Sequence, residues 1–214
     1  MRGRSARHVV VSAIPAAVPL TMTVVFDLLR RRTTARAAYN GGFLVYWLGW
    51  CLAAPMWLLG PREAARLLVT GRPLPRVHVV LLAIPVAGAV GAELIPHRRQ
   101  IDVPTAAVMA ATAAVNAAGE ELLWRGVFMR DPGSRPSLTM VWSLIGFSLW
   151  HFAPQRVLPS RMGRWRFVAA SAAVGITSTL AAQKSGGLRQ VVVAHALADA
   201  CGVTAARFRL GKHP

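Results

Sequence analysis

The sequence predicts an all-α membrane protein, a multi-spanning transmembrane helical bundle of about seven helices. The 214 residues are 54% hydrophobic, with a mean hydropathy of +0.43, and only 15% are charged. A soluble domain usually carries about a quarter charged residues. The apolar residues form long runs along the whole chain, and backbone groups in lipid must bond within a helix. Residues 1–214 are therefore expected to form a single membrane-embedded domain.

Seven apolar segments approach the roughly 20 residues that a helix needs to cross the hydrocarbon layer. The first continues for a full span without a small-residue cleavage site, so a retained helix is expected rather than a signal peptide. Near its end, Asp27 is expected to pair with Arg30 or Arg31 one turn later. Residues 62–76 are expected to lie along the membrane surface. The seven predicted spans are Val9–Leu29, Gly42–Leu59, Val77–Ile95, Val103–Met129, Leu138–Ala153, Phe167–Ala182 and Val191–Ala206.

Glycine and proline mark the predicted loops between these segments. Examples are Gly60-Pro61-Arg62, Asp131-Pro132-Gly133 and Ser185-Gly186-Gly187. The net charge of +17 lies mainly in arginine clusters at such interruptions, as expected where cations meet anionic lipid head groups. Membrane lipid is therefore the predicted partner, and no nucleic-acid partner is expected. The basic residues divide almost evenly between the two sides, so they assign no orientation.

Ionisable side chains inside spans are costly and are functional candidates. Glu121 and Arg125 are four residues apart, so they share a helix face and can pair, whereas Glu120 is rotated by about 100° and points elsewhere. The same spacing relates Phe147 to His151 on the next span and His195 to Asp199 on the last. Three spans thus each present polar groups within one turn, which a bundle interior could bring together.

Carboxylates and imidazoles in an apolar interior permit two kinds of chemistry. One is acid–base catalysis, with a carboxylate as general base and an imidazole orienting water or stabilising an oxyanion. The other is binding of a divalent metal such as zinc by Glu120, His151, His195 and Asp199, although the HExxH spacing is absent. Each residue alone also has a structural interpretation: a buried ion pair, a hydrogen-bonded histidine or, for Trp150, a packing or interface anchor.

The ordered motifs resemble those of the CPBP intramembrane proteases, the family of CAAX proteases and Abi proteins. The family pattern EExxxR corresponds to Glu120-Glu121-Leu122-Leu123-Trp124-Arg125, followed by Gly126. FxxxH corresponds to residues 147–151, and HxxxN or HxxxD to residues 195–199. The run Ser185-Gly186-Gly187-Leu188 also resembles the family's lead-in to the last motif. The motif-bearing core is expected at about residues 103–206.

The resemblance implies an intramembrane endopeptidase, often labelled a metalloprotease. Glu120 would activate water, His151 would help to position it, and His195 with Asp199 would stabilise the oxyanion. Since an ionised aspartate cannot donate a hydrogen bond, its role requires a protonated carboxyl or passes mainly to His195. Structural support would come from Glu121, Arg125 and Phe147. A metal bound by Glu120, His151, His195 and Asp199 is left open, and no cofactor is assigned.

The expected substrate is a membrane-associated peptide or protein, cleaved in the cell membrane of a bacterium by a multi-pass protein. Bacteria generally lack prenylated CAAX proteins, so a peptide, a bacteriocin leader or a membrane protein is the expected target. Two alternatives belong to other classes: a non-catalytic membrane scaffold that retains the fold, and a proton-coupled transporter with a buried relay. A scaffold has no need of all three motifs, and no internal repeat with paired broken helices supports the transporter.

Overall fold

The computed structural model describes residues 2–131 and 136–213, with side chains for 6–131 and 138–213. Nine helices and no β-strand occur in these ranges, so the predicted all-α class is confirmed. The bundle is built from α1 (Arg2–Arg32), α2 (Ala35–Leu59), α3 (Pro61–Val69), α4 (Arg76–Gln100), α5 (103–129), α6 (Pro136–Trp150), α7 (Arg164–Ser185), α8 (Arg189–Asp199) and α9 (Val203–Leu210).

Local sequence signals determine where several helices begin. The Thr34 hydroxyl accepts a hydrogen bond from the Ala37 amide before α2, and the Asp102 carboxylate accepts one from the Thr105 amide before α5. These side chains satisfy amide groups that have no partner within the helix. Asp102 also pairs with Lys212, and together these contacts hold the pKa of its carboxyl well below the usual range.

Three of the long helices contain a π-helical turn. These turns span Tyr46–Ala53 in α2, Val90–Leu94 in α4 and Leu122–Gly126 in α5. A π turn widens the helix locally and is frequent at functional sites. The α5 turn immediately follows Glu120 and Glu121, and all five of its residues are buried.

The main core lies where α1, α2, α5 and α6 meet. Large side chains from the four helices fill it, among them Phe26, Tyr46, Trp124, Phe147 and Trp150, each at most 1% exposed. A second apolar cluster joins α3 and α5 to the α7–α8 connection through Leu67, Leu122 and Leu188. The polar motifs of α5, α6 and α8 are therefore enclosed by helices on several sides.

Within the described ranges, three helical segments are long and apolar enough to cross a membrane: Ala6–Arg32, Ala35–Leu59 and Arg76–Gln100. The pair α8 and α9, bent by 68°, could form a fourth broken span. The sequence predicted seven. The difference lies in the C-terminal half, where α6 has 15 residues and reaches only about 22 Å, and α5 carries ionisable groups.

The structure corrects one predicted contact and supports another. Asp27 does not pair mainly with the arginines one turn later: both its oxygens accept hydrogen bonds from Arg156, each at 2.6 Å, across the bundle. As expected for a surface helix, α3 is amphipathic, with Ala64 and Leu67 buried and Arg66 exposed. The loop predicted at Asp131-Pro132-Gly133 lies, beyond Asp131, outside the described residues.

Candidate active site

Glu120 is a buried carboxylate whose side chain contacts several helices. Its side chain is 1% exposed. One oxygen, Oε1, accepts a hydrogen bond from the Tyr46 hydroxyl at 3.0 Å and a second from Trp150 Nε1 at 2.9 Å. Both donors come from other helices, α2 and α6. Glu120 is therefore held by tertiary contacts rather than by its own helix.

The other oxygen of Glu120 has a different environment. Oε2 is buried without a hydrogen-bond partner and lies 3.5 Å from His195 Nε2. A separation of that size is long for a direct hydrogen bond, and a water molecule can connect such groups. One oxygen of the Glu120 carboxylate therefore accepts two hydrogen bonds, whereas the other accepts none.

His195 lies between three carboxyl groups. Its Nδ1 contacts Glu121 Oε1 at 2.8 Å, whereas Nε2 lies 3.5 Å from Glu120 Oε2 and 3.6 Å from Asp199 Oδ2. Glu121 is wholly buried, but the Asp199 side chain is 32% exposed. The group of Glu120, Glu121, Arg125, His195 and Asp199 is called the Glu120 cluster below.

Asp199 is oriented by two residues on neighbouring helices. Asn116 Nδ2 donates to Asp199 Oδ2 at 2.8 Å, and Trp47 Nε1 donates to Asn116 Oδ1 at 2.9 Å. Since the Asn116 oxygen accepts from the indole, its amide nitrogen must face the carboxylate. This donor sequence runs from α2 through α5 to the end of α8.

The predicted pair of Glu121 and Arg125 is confirmed, with Arg125 Nη1 3.2 Å from Glu121 Oε1. Arg125 is only 1% exposed, and its other nitrogen, Nη2, donates to the Gly175 carbonyl at 3.2 Å. The guanidinium also lies over the Phe147 ring, 4.3 Å from its centroid. A buried cation with these partners is compensated in charge and in hydrogen bonding.

His151 belongs to the same region but not to the same hydrogen-bond network. Its Nδ1 lies 2.7 Å from the Phe147 carbonyl, and because a carbonyl only accepts, Nδ1 carries the proton. Nε2 is then the nitrogen that can accept a hydrogen bond. The Phe147 ring contacts both histidine rings, with centroids 4.7 Å from that of His151 and 6.3 Å from that of His195.

Close helix contacts allow these side chains to meet. A Cβ on Gly119 would lie 2.6 Å from Cys51 Cβ, so only glycine permits α5 to approach α2 at the residue before Glu120. Immediately beyond it, the π turn buries Trp124 and Arg125 together with Glu120 and Glu121. Regular α geometry would place neighbouring residues of one helix on different faces, whereas a wider π turn lets them point inward together.

The segment before His195 is held by a second close contact. A Cβ on Gly187 would lie 2.3 Å from the Thr70 carbonyl oxygen. Around it, the Leu188 amide donates to the Leu67 carbonyl at 2.8 Å and the Arg189 amide to the Thr70 carbonyl at 3.1 Å. The glycine-containing lead-in noted in the sequence therefore docks α8 against the end of α3, which sets the position of His195.

The metal hypothesis receives no support from this arrangement. In the ranges that the structure describes, no group of three or more histidine, cysteine, aspartate and glutamate side chains is arranged to hold a metal ion. Of the four predicted ligands, Glu120, His195 and Asp199 lie together, whereas His151 stands apart from their network. No catalytic step below involves a metal, and the metal assignment stays a prediction.

Five of the predicted site residues meet in the Glu120 cluster, namely Glu120, Glu121, Arg125, His195 and Asp199, while Phe147 and His151 lie beside it. Sequence reasoning missed Tyr46, Trp47 and Trp124, and it treated Trp150 as a packing residue although its indole also donates to Glu120. Tyr46 could have been identified from the sequence, because it is a tyrosine within an apolar span and a buried hydroxyl needs a hydrogen-bond partner.

Residues 102–201 match the family model for type II CAAX prenyl endopeptidase Rce1-like proteins. The matched range contains all three motifs and the whole Glu120 cluster. These 100 of the 214 residues are thus similar to a CAAX-protease family. The resemblance inferred from the motifs is thus confirmed, and the family and the apolar helices together indicate a membrane peptidase. None of the curated proteins and none of the solved structures compared with the chain matches it.

Tyr46 and Trp47 lie outside the region that matches the CAAX-protease family, whereas their partners Glu120 and Asn116 lie inside it. Two side chains of the N-terminal half thus complete a site whose motifs are all in the C-terminal half.

Proposed function

We propose that this CAAX-protease relative is a multi-pass intramembrane endopeptidase in which Glu120 activates the attacking water. The observation that carries the proposal is the Oε2 atom of Glu120, which is buried, has no hydrogen-bond partner and faces His195 Nε2 at 3.5 Å. Glu121 Oε2 is also buried without a hydrogen-bond partner, but the Glu120 atom is the one that faces His195 Nε2, next to the partly exposed Asp199. That position suits a group that accepts a proton from water.

The first step is attack of water on the substrate carbonyl. Glu120 Oε2 removes a proton from the water while the water oxygen forms a bond to the carbonyl carbon of the substrate. His151 assists by accepting the second water proton in a hydrogen bond at Nε2, because Nδ1 is engaged with the Phe147 carbonyl. This assigns His151 a positioning role that agrees with its place beside the cluster.

The oxyanion that forms is stabilised by His195. With a proton on each ring nitrogen, His195 donates to Glu121 through Nδ1 and offers Nε2–H to the negative oxygen. Asp199 faces the same nitrogen and is oriented by Asn116. When the intermediate collapses, Glu120 Oε2 returns its proton to the leaving amine, so the carboxylate is restored and one peptide bond has been hydrolysed.

The proposed substrate is a peptide or protein presented at the membrane. The matched family is that of a CAAX prenyl endopeptidase, so a peptide ending in a prenylated cysteine, two aliphatic residues and a final variable residue is one suitable probe. In a bacterial cell membrane, a secreted peptide, a leader peptide or a membrane protein is the proposed natural target. Membrane lipid is the surrounding partner, and neither a metal cofactor nor a nucleic acid enters the proposal.

Cleavage by purified protein in liposomes tests the mechanism. Two internally quenched peptides serve as probes, one with the prenylated terminus and one with a single apolar helix. We expect Glu120→Ala and His151→Ala each to lower turnover at least about 100-fold, in line with loss of acid–base assistance. Glu93→Ala and His97→Ala, an acid and a histidine on α4, serve as matched controls that keep wild-type turnover. Wild-type turnover in Glu120→Ala would exclude the mechanism and favour a non-catalytic role.

A further inference from the structure

Tyr46 is the only residue from outside the family-matched region that contacts Glu120 directly among the hydrogen bonds of the described residues. It lies at the start of the π turn of α2, has no exposed surface, and its ring stacks on Trp150 with centroids 3.7 Å apart. These contacts place the phenol and the indole side by side, both directed at the same carboxylate oxygen.

The direction of the Tyr46 hydroxyl follows from its second partner. Trp124 Nε1 donates to the Tyr46 oxygen at 2.9 Å, and an indole nitrogen can only donate. The hydroxyl therefore accepts from Trp124, and its one proton is directed to Glu120 Oε1 at 3.0 Å. Cys51 also interacts with this hydroxyl, but a carboxylate is a stronger acceptor than a thiol, so the proton goes to Glu120.

The same reasoning applies to the second donor on Glu120. Trp150 Nε1 also can only donate, and it lies 2.9 Å from the same oxygen. Since Oε1 accepts from both sides, a proton taken up by this carboxyl must go to Oε2. That is the atom without a partner that faces His195.

We infer that Tyr46, held by Trp124, is a positioning residue that makes Glu120 Oε2 the proton-accepting atom. The inference rests on the proposed function, since it assigns a cause to the geometry of that base. It also means that the N-terminal half of the chain contributes to catalysis, because Tyr46 on α2 orients Glu120 on α5. The wide π turn places Tyr46 toward Glu120 and its neighbour Trp47 toward Asn116.

Tyr46→Phe tests the inference, because it removes one hydroxyl and keeps the ring that stacks on Trp150. Tyr39→Phe is the matched control: it alters the chain's other tyrosine, on the same helix and also buried, which contacts Phe43 and Phe208 rather than the cluster. With the quenched prenylated peptide, we expect Tyr46→Phe to lower kcat about 10- to 100-fold with little change in KM. Tyr39→Phe should match the wild type in both.

An infrared measurement tests the contact without any substrate. The carbonyl or carboxylate band of Glu120 is obtained as the difference between each protein and its own Glu120→Gln variant. Loss of the Tyr46 hydrogen bond should move this band to higher frequency in Tyr46→Phe, and Tyr39→Phe should leave it in place. An unmoved band, or a moved band with wild-type kcat, overturns the positioning role.

Failure of the proposed function has a different signature. If Glu120→Gln cleaves the peptide as fast as the wild type, Glu120 is not the base and the mechanism itself is wrong. If Glu120→Gln is inactive while Tyr46→Phe is fully active, the mechanism stands and only the role of Tyr46 is refuted. If the wild type does not cleave the prenylated peptide, the position of the infrared band still supports or refutes the contact between Tyr46 and Glu120.

Discussion

Replacing either glutamate of the first motif by glutamine should separate their roles. Glu121→Gln removes the charge that compensates Arg125, which is 1% exposed and keeps only the Gly175 carbonyl and the Phe147 ring. It also weakens the contact to His195 Nδ1. Breaking a buried pair from one side costs about 3–5 kcal/mol, and since glutamine can still accept one bond, we expect about 3 kcal/mol.

For a chain of this length, a loss of about 3 kcal/mol lowers the melting temperature by roughly 6–12 °C. Glu120→Gln should lose less than about 1 kcal/mol, because the amide oxygen can still accept from Tyr46 and Trp150. The assay is the fraction of detergent-solubilised protein that stays unaggregated after heating, with Glu93→Gln on α4 as the background variant. A larger loss of stability in Glu120→Gln than in Glu121→Gln would show that the structural and chemical roles have been exchanged.

Two further predictions concern the end of the bundle that carries α3. Glu63 accepts hydrogen bonds from Arg66 and Arg130, which lower its pKa to about 2 from the usual 4.5, so its contribution to stability is complete above pH 4.5 and is lost as the pH falls toward 2. The difference in stability between the wild type and Glu63→Gln, measured in detergent, should therefore shrink from pH 6 to pH 3. A constant difference would refute the pairing. Gly187→Ala places a methyl group against the Thr70 carbonyl oxygen and should lower the free energy of unfolding by about 1–3 kcal/mol. The melting temperature and the rate of peptide cleavage should both fall. Gly88→Ala, at an open position on α4, should change neither.

Contacts between residues one helical turn apart could be predicted, with one exception. The spacing of Glu121 and Arg125 places both on one face of a single helix, and the pair is present at 3.2 Å. The same argument predicted that Asp27 pairs with Arg30 or Arg31, and it was wrong. Asp27 lies near a helix end, where Arg156 from a distant loop offers two hydrogen bonds at once.

The number of membrane crossings depends on more than hydropathy. Hydropathy reports how apolar a segment is, but not whether lipid or protein surrounds it. α6 is apolar, yet its 15 residues are shorter than a membrane crossing, and α8, with 11 residues, reaches that length only together with α9. Each of these helices has a buried face toward the Glu120 cluster and an exposed apolar face, and composition does not distinguish the two.

By itself, the sequence determined the helical membrane class, the three ordered motifs and the separation of Glu120 from the Glu121–Arg125 pair, because each depends on composition or on spacing within one helix. Only the tertiary structure decided which atoms meet. Tyr46 and Trp150 reach Glu120 from 74 and 30 residues away along the chain. Such contacts follow from the close approach of α2 to α5 at Gly119 and from the π turns, which no local pattern specifies. The packing of the helices therefore determines that Glu120 Oε1 accepts two hydrogen bonds and that Oε2 accepts none.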